Sequence, residues 1–248
     1  METLQELIEW FSDPVNWSGS QAIPQRLIEH LQYSWVAVLL AVPVGVAFGT
    51  YIGHTRRFEF ITVTTANLGR ALPSFAILAL AFPIALSFNL GFSIWPTVVA
   101  LFFLAVPPVL TNTYVGVKEV DADTVESARG MGMTGTEVLR QIEIPLAAPL
   151  IVTGIRTASV QVVATATLAA VVAGGGLGRF IIDGFARQRD DMILGGAILV
   201  AALAILTEIF FAVVERIVMP STSSRRVSRF KPAFRHIGQV PRPGGEIT

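Results

Sequence analysis

The sequence predicts an all-α integral membrane protein with about five transmembrane helices. Hydrophobic residues make up 52% of the chain and charged residues only 15%, whereas a soluble domain carries about 25% charged residues. The apolar residues form long blocks without a polar face, as in VAVLLAVPVGVAFG and GGAILVAALAIL. A helix that crosses a bilayer needs about 20 apolar residues, because the hydrocarbon offers no water to the backbone. A large soluble helical core is excluded, since its helices would each need a polar face.

Five apolar blocks are long enough to cross a membrane, at residues 31–52, 61–88, 94–117, 146–173 and 192–218. They define a transmembrane domain at 31–219 that includes a polar loop at 118–145. Residues 1–30 are predicted as an external or interfacial segment and residues 220–248 as a basic cytoplasmic tail. Several prolines lie in or at the ends of these blocks, which suits helices that bend around a pathway and equally a kinked bundle.

The distribution of basic residues predicts the orientation of the chain. If the first residues lie outside, 14 of the 18 basic residues fall on the inner side, and the outer side keeps Arg26, Arg179, Arg187 and Arg189. Lys and Arg concentrate on the cytoplasmic side of membrane proteins. The sequence therefore predicts an external N-terminus and a cytoplasmic C-terminus. The basic tail would be disordered or would contact anionic membrane lipid.

The first residues predict a short amphipathic helix. Its apolar side would carry Leu4, Leu7, Ile8 and Phe11. Such a helix either lies on the membrane surface or is a frayed surface helix, and both interpretations stay open.

Charge and residue content exclude other classes of protein. The 18 acidic residues balance the 18 basic ones, so the net charge gives no indication of nucleic-acid binding, and no nucleic-acid partner is expected. There is no cysteine, and His30, His54 and His236 follow no metal-ligand spacing. We therefore expect no metal site on this chain.

The stretch GMGMTG, from Gly130 to Gly135, matches the dinucleotide-binding pattern G-x-G-x-x-G in form only. That pattern requires a preceding strand and an acidic residue about 20 positions later, and both are missing here. A helix at 124–131 is predicted instead, with Asp123 as its N-cap and Glu126 at the matching capping-box position. This interpretation excludes a nucleotide-dependent oxidoreductase.

A helix–turn–helix is therefore predicted in the polar loop. Gly130 and Gly132 would end the first helix. Thr134 and Glu137 would begin the second helix with a capping box, and Pro145 would end it and begin the next span.

The same loop resembles the EAA loop of ABC importer permeases, whose pattern reads E-A-A-x3-G-x9-I-x-L-P. Glu126, Ala128 and Gly132 match it, while Ser127 replaces an alanine and Ile144 a leucine. The resemblance implies an ABC importer permease fold with a cytoplasmic coupling helix that docks into a separate ATPase. The residues implied in this coupling are Glu126, Ser127, Ala128, Gly130, Gly132, Met133 and Thr134.

The resemblance also implies partners and a location. The chain contains no G-x-x-x-x-G-K-[ST] segment, so ATP and Mg would act on the partner ATPase, and this chain would be a transporter subunit rather than an enzyme. The implied partners are ABC ATPase subunits, a second permease chain, identical or different, and a separate extracytoplasmic substrate-binding protein. The implied location is the bacterial inner or plasma membrane, crossed several times.

Three longer stretches, NTYVGVKEVDADTVESARGMGMT, GIRTASVQVVATATLAA and AGGGLGRFI, resemble the glycine betaine/carnitine/choline permeases over about residues 23–219. Compatible solutes with a quaternary ammonium group are then the implied cargo. A methionine-type ABC permease remains an alternative, as does an ATP-independent channel or carrier. AGGGLGR is expected to end the fourth span and to form an outer turn.

Polar residues inside the apolar blocks are candidates for the translocation pathway. These candidates are Asn67, Thr111, Asn112, Gln161, Thr165 and Thr167, and we expect this role above all of Asn112 and Gln161, which lie in the two spans flanking the polar loop. The alternative for each is an interhelical hydrogen bond. Glu208 is an acid deep in the fifth block, where an unpaired charge is costly. We expect it to pair with Arg156 or Arg70.

Overall fold

The computed structural model describes residues 2–60, 64, 73–90, 94–172 and 174–218, and all regular secondary structure within them is helical. The helices are α1 (Glu2–Ser12), α2 (Ile23–Thr55), α3 (Ser74–Ser87), α4 (Trp95–Lys118), α5 (Ala122–Gly130), α6 (Gly135–Val138), α7 (Ile144–Thr165), α8 (Gly178–Arg187) and α9 (Asp190–Val218). A π turn at Leu139–Glu143 joins α6 to α7, and a 3-10 segment at Ala166–Val172 extends α7.

Four helical stretches of the described residues are long and apolar enough to cross a membrane: Ile23–Thr55, Trp95–Lys118, Gly135–Val172 and Asp190–Ile217. They coincide with four of the five predicted blocks. The block at 61–88 contains α3, a shorter apolar helix of 14 residues, and most of its first half lies outside the described residues. The predicted all-α membrane fold is confirmed.

Helices α2 and α4 are the most closely packed pair, and glycines make this possible. Gly45, Gly49 and Gly53 repeat every fourth residue along one face of α2. In that order they face Val109, Thr113 and Val117 of α4. A Cβ atom at Gly49 would lie 2.7 Å from the Cβ of Thr113, so only glycine permits this approach. Since both residue numbers rise together, the two helices run parallel, with small residues at the contact as in other membrane bundles.

Helix α7 packs against the other side of α4 in the antiparallel direction. Gly116 of α4 faces Ala147, whereas Gly154 of α7 faces Asn112, whose Cβ would lie 2.8 Å from an added Cβ. The helices α2, α4 and α7 thus share one apolar core, in which Ala37, Ala105 and Ala158 are fully buried.

The N-terminal helix α1 packs on the bundle through an aromatic anchor. Trp10 is 4% exposed and meets the ring of Phe180 edge-on, with 5.4 Å between the ring centroids. Leu4 and Ile8 of the predicted apolar face remain exposed to the surroundings. The sequence pattern therefore missed the residue that docks the helix, while the membrane-surface role of its apolar face stays a prediction.

Candidate functional site

The loop predicted to couple to an ATPase begins with α5, and its N-cap differs from the prediction. The carboxylate of Asp121 accepts hydrogen bonds from the backbone N–H of Thr124 at 3.1 Å and from its hydroxyl at 2.8 Å. These bonds hold the pKa of Asp121 below its ordinary value, since they stabilise the charged form. The expected cap, Asp123, is wrong because the helix starts at Ala122 and places Asp123 in its first turn.

The turn after α5 is made by one of the two predicted glycines. Gly132 has φ of +93°, a left-handed conformation that glycine adopts without a steric penalty. Its N–H donates to the carbonyl of Arg129, and the N–H of Met133 donates to the carbonyl of Ala128. Gly130 is the last helical residue of α5, so the predicted end of this helix is confirmed. Of the two glycines, only Gly132 has a positive φ.

The second predicted helix exists, but it does not stop at Pro145. Thr134 and Glu137 form the expected capping box at the start of α6. The helix then widens into the π turn and continues as α7, and Pro145 lies in the first turn of α7, at the beginning of the next span as predicted. The wider turn accommodates the missing N–H of proline, because the N–H of Ile144 reaches back to the carbonyl of Leu139. One continuous helical path thus leads from the loop into the membrane.

The loop presents most of the predicted coupling residues to its surroundings. Those that are exposed are Glu126, Ser127, Gly130, Gly132 and Thr134. Met133 is half-buried, and Ala128 is 2% exposed, so Ala128 supports the turn from within. Met131 is 79% exposed at the tip, and sequence reasoning missed it. The alternation of Met with Gly in GMGM was the available signal.

Behind α5 lies a cavity of about 480 Å³, between this helix and the adjoining ends of α2 and α4. Titratable side chains line it, namely His54, Arg56, Glu126, Arg129 and Glu143. Glu143 is 5% exposed, and its carboxylate lies 2.6 Å from Nδ1 of His54. Sequence reasoning missed this pair; an acid at the start of an apolar block was the signal that could have shown it. We call this side of the molecule the loop end.

Polar contacts also tie α2 to α4 at the loop end. The guanidinium of Arg56 donates to the carbonyl of Lys118 at 2.7 Å, one of the carbonyls that a helix C-terminus leaves free. The Lys118 ammonium in turn contacts Glu59 at 2.7 Å and the hydroxyl of Tyr114 at 2.8 Å. The hydrogen bond from Lys118 lowers the pKa of Glu59. These groups fix the ends of both helices beside the loop.

A charged cluster lies farther along α7. Arg156 forms ion pairs with Glu208 and with Glu215, the latter at 2.9 Å. The expected pair of Arg156 with Glu208 is therefore present, and Arg70 lies outside the described residues. Glu215 was missed, although it follows Glu208 by seven residues and shares its helical face. One guanidinium here serves two carboxylates.

The pathway candidates occupy different environments. The amide of Asn112 donates to the carbonyl of Pro108 in its own helix at 2.8 Å, so this bond is intrahelical and not the interhelical bond of the alternative. Gln161 is exposed, and Thr165 is half-buried. Thr111 and Thr167 are half-buried too, and the hydroxyl of Thr111 is enclosed without a hydrogen-bond partner in the described part of the chain. Asn67 lies outside the described residues.

An exposed polar face on α7 was not predicted. Gln161 shares this face with Thr153 and Thr157, because the three residues are spaced four apart along the helix. Both threonine hydroxyls donate to carbonyls four residues earlier. The face is thus polar and exposed in the middle of a helix that can cross a membrane.

At the opposite end, the glycine-rich segment forms the expected turn. Gly176 has φ of +85°, and its N–H donates to the carboxylate of Glu29 at 2.8 Å. The N–H of Gly175 donates to the hydroxyl of Tyr33 at 2.9 Å. The side chains of α2 thereby hold the turn between the 3-10 segment and α8. Within the described ranges, no group of three or more His, Cys, Asp or Glu side chains could hold a metal ion.

Comparisons with known proteins agree on one family. Residues 41–221 match the family described as the binding-protein-dependent transport system inner membrane component. The chain is 42% identical over 192 residues to the glycine betaine/carnitine/choline transport system permease protein OpuCB of Bacillus subtilis, covering 77% of this chain and 86% of that protein. It is 40% identical over 200 residues to the choline transport system permease protein OpuBB of the same organism, covering 81% and 90%.

A solved structure has the same fold. The MetNI methionine ABC transporter in an inward-facing conformation matches with a TM-score of 0.69 at 19% identity, covering 79% of this chain and 96% of that one. At this identity the match concerns the fold alone. The family match spans most of the chain and the relatives are covered almost in full. The chain is therefore a member of the family of inner-membrane components of binding-protein-dependent transport systems.

Proposed function

We propose that this chain is the transmembrane permease subunit of an ATP-driven ABC importer for quaternary-ammonium compatible solutes such as glycine betaine, choline and carnitine. The observation that carries the proposal is its identity of 42% with a glycine betaine/carnitine/choline permease protein and of 40% with a choline permease protein. The methionine alternative rests on a likeness of fold at 19% identity. The cargo of the proposed importer therefore carries a quaternary ammonium group.

The loop between α4 and α7 is the proposed contact with the ATPase. Its exposed residues include Glu126 and Gly132, and Met131 adds an exposed apolar side chain at the tip. This surface supports a partner that drives transport and argues against a channel or carrier that works without ATP. ATP and Mg would act on that partner. A second permease chain and a separate extracytoplasmic binding protein complete the proposed importer.

The orientation follows from charge. The loop end carries Arg56, Arg57, Lys118, Arg129 and Arg140. Because basic residues favour the cytoplasmic side, we place the loop end in the cytoplasm and the glycine turn outside, in a bacterial inner or plasma membrane. The basic tail at 220–248 lies outside the described residues, and it would then be cytoplasmic as well.

The helical path from α6 to α7 suggests how the loop acts on the pathway. Residues Gly135–Val172 form one continuous helical stretch, so a displacement of α6 moves α7 along with it. The polar face of α7 with Thr153, Thr157 and Gln161 would line the pathway, since exposed polar groups in a membrane face water or protein rather than lipid. Closure of the two ATPase subunits would thereby move α7 and change the side of the membrane to which this polar face is open.

Uptake by cells tests the cargo. Cells without other osmoprotectant importers would carry the complete system and receive labelled glycine betaine with unlabelled choline, carnitine or methionine as competitors. We expect choline and carnitine to suppress uptake and methionine to leave it unchanged. Suppression by methionine alone would move the chain to the methionine-type alternative.

A further inference from the structure

The contact between His54 and Glu143 joins two segments that are 89 residues apart in the sequence. His54 lies in the last turn of α2, and Glu143 ends the π turn between α6 and α7. Their side chains meet at 2.6 Å, with Glu143 almost fully buried. A buried carboxylate without a partner is costly, so this contact is retained wherever Glu143 stays buried.

His54 also reaches the start of α6. An added Cβ atom at Gly135 would lie 3.6 Å from Nε2 of His54. The imidazole thus sits between the first residue of α6 and the last residue of the π turn. Both ring nitrogens face the segment through which the loop continues into α7.

The remaining contacts of the loop with the bundle are sparse. Ala128 is the one buried residue of α5, and the cavity of about 480 Å³ separates this helix from Val117 and Val120. The polar contacts of Arg56 and Lys118 at this end join α4 to the C-cap of α2 and to Glu59 in the segment after it, not to the loop. Movement of the loop reaches α7 through the continuous helix, whereas α2 has His54 as its polar link to the same segment.

We propose that His54 is a positioning residue, which passes the movement of the coupling loop on to α2 through its contact with Glu143. The proposal rests on the proposed function. Helix α2 is packed tightly on α4 through its glycine face, so a shift of α2 carries α4 along with it. The inner ends of three spans then respond to the ATPase together rather than α7 alone.

The test is the amount of cargo moved per ATP hydrolysed by the complete importer in proteoliposomes. His54→Leu keeps a side chain of similar size but removes the partner of Glu143. We expect the ATPase to remain bound and active while labelled glycine betaine moved per ATP falls about fivefold or more, since coupling between sites spans about 5-fold to 150-fold. His54→Asn, whose amide can donate from nearly the position of Nδ1, should restore most of this ratio.

A matched control and a second variant separate the link from folding. Arg57→Ala removes an exposed basic side chain at the same end, and it should keep the wild-type ratio. If His54→Leu lowers the yield of folded protein, the double variant His54→Leu/Glu143→Leu leaves no unpaired carboxylate and should show the same loss of cargo per ATP.

Two results would overturn the proposal. One is a wild-type ratio of cargo to ATP in folded His54→Leu or in the double variant. The other is loss of the ATPase from the purified His54→Leu complex, because His54 would then serve docking rather than transmission. If the wild-type complex moves no quaternary amine at all, the proposed function itself fails, and this inference fails with it.

Discussion

The guanidinium of Arg156 in α7 forms an ion pair with the carboxylate of Glu208 in α9, and both residues lie in helices that can cross a membrane. Glu215 shares the same guanidinium at 2.9 Å. Charges inside a membrane are costly unless they are paired. The two acids on α9 therefore both depend on Arg156 for an ion pair, whereas Arg156 keeps one partner when either acid is replaced.

Arg156→Ala is expected to destabilise the chain more than Glu208→Gln or Glu215→Gln. Removal of Arg156 leaves two carboxylates without their partner, whereas each glutamine variant leaves a neutral Arg–Glu pair. The midpoint of thermal unfolding of each detergent-purified variant measures this order of stability. Equal midpoints for Arg156→Ala and the wild type would show that water or lipid headgroups satisfy the acids instead.

Gly49→Ala is expected to loosen the α2–α4 contact. The new Cβ atom would lie 2.7 Å from the Cβ of Thr113 and 2.8 Å from the carbonyl oxygen of Leu110. Overpacking of this kind costs about 1–3 kcal/mol, which a denaturation curve in detergent can resolve. Gly130→Ala serves as control, because nothing lies within 4 Å of its added Cβ. Equal stability of both variants would contradict the close parallel packing.

Gly130→Trp is expected to block ATPase binding without unfolding the spans. Gly130 has open space around an added Cβ and no positive φ, whereas a side chain at Gly132 would be strained at φ of +93°. Gly130→Trp is thus the cleaner steric probe of the loop surface. Co-purification of the ATPase measures binding, with Ser18→Trp at the exposed opposite end as control. Wild-type amounts of ATPase bound to Gly130→Trp would contradict the docking role.

Cysteine labelling tests the orientation. The chain has no cysteine, so a single introduced cysteine is the only site on it that a maleimide labels. We expect a membrane-impermeant maleimide to label Ser18→Cys in spheroplasts. Thr136→Cys, in a chain expressed without the ATPase, should react only after permeabilisation, because basic residues hold the loop end inside. The reverse pattern would invert the proposed topology.

The membrane fold could be predicted because it depends on composition over long stretches. A block of about 20 apolar residues leaves few alternatives to a spanning helix. The capping box of Thr134 and the turn at Gly132 could also be predicted from local sequence, because residues within four positions determine both features. These features need no knowledge of distant packing.

Contacts between distant segments could not be predicted in the same way. His54 and Glu143 are 89 residues apart, and only the packing of α2 beside α7 brings them together. The prediction that Pro145 ends a helix was wrong because a π turn re-forms the hydrogen bonds around it. Trp10 was missed as an anchor because its partners, Phe180 and Gly195, lie far along the chain.

The central claim is ATP-driven import of a quaternary amine through this chain, and uptake into proteoliposomes tests it most directly. The vesicles would contain the permease and its ATPase, with binding protein and labelled glycine betaine on the outer side. We predict accumulation that requires enclosed ATP and that is lost with Gly130→Trp. Uptake that continues without ATP, or without the ATPase subunit, would contradict the account.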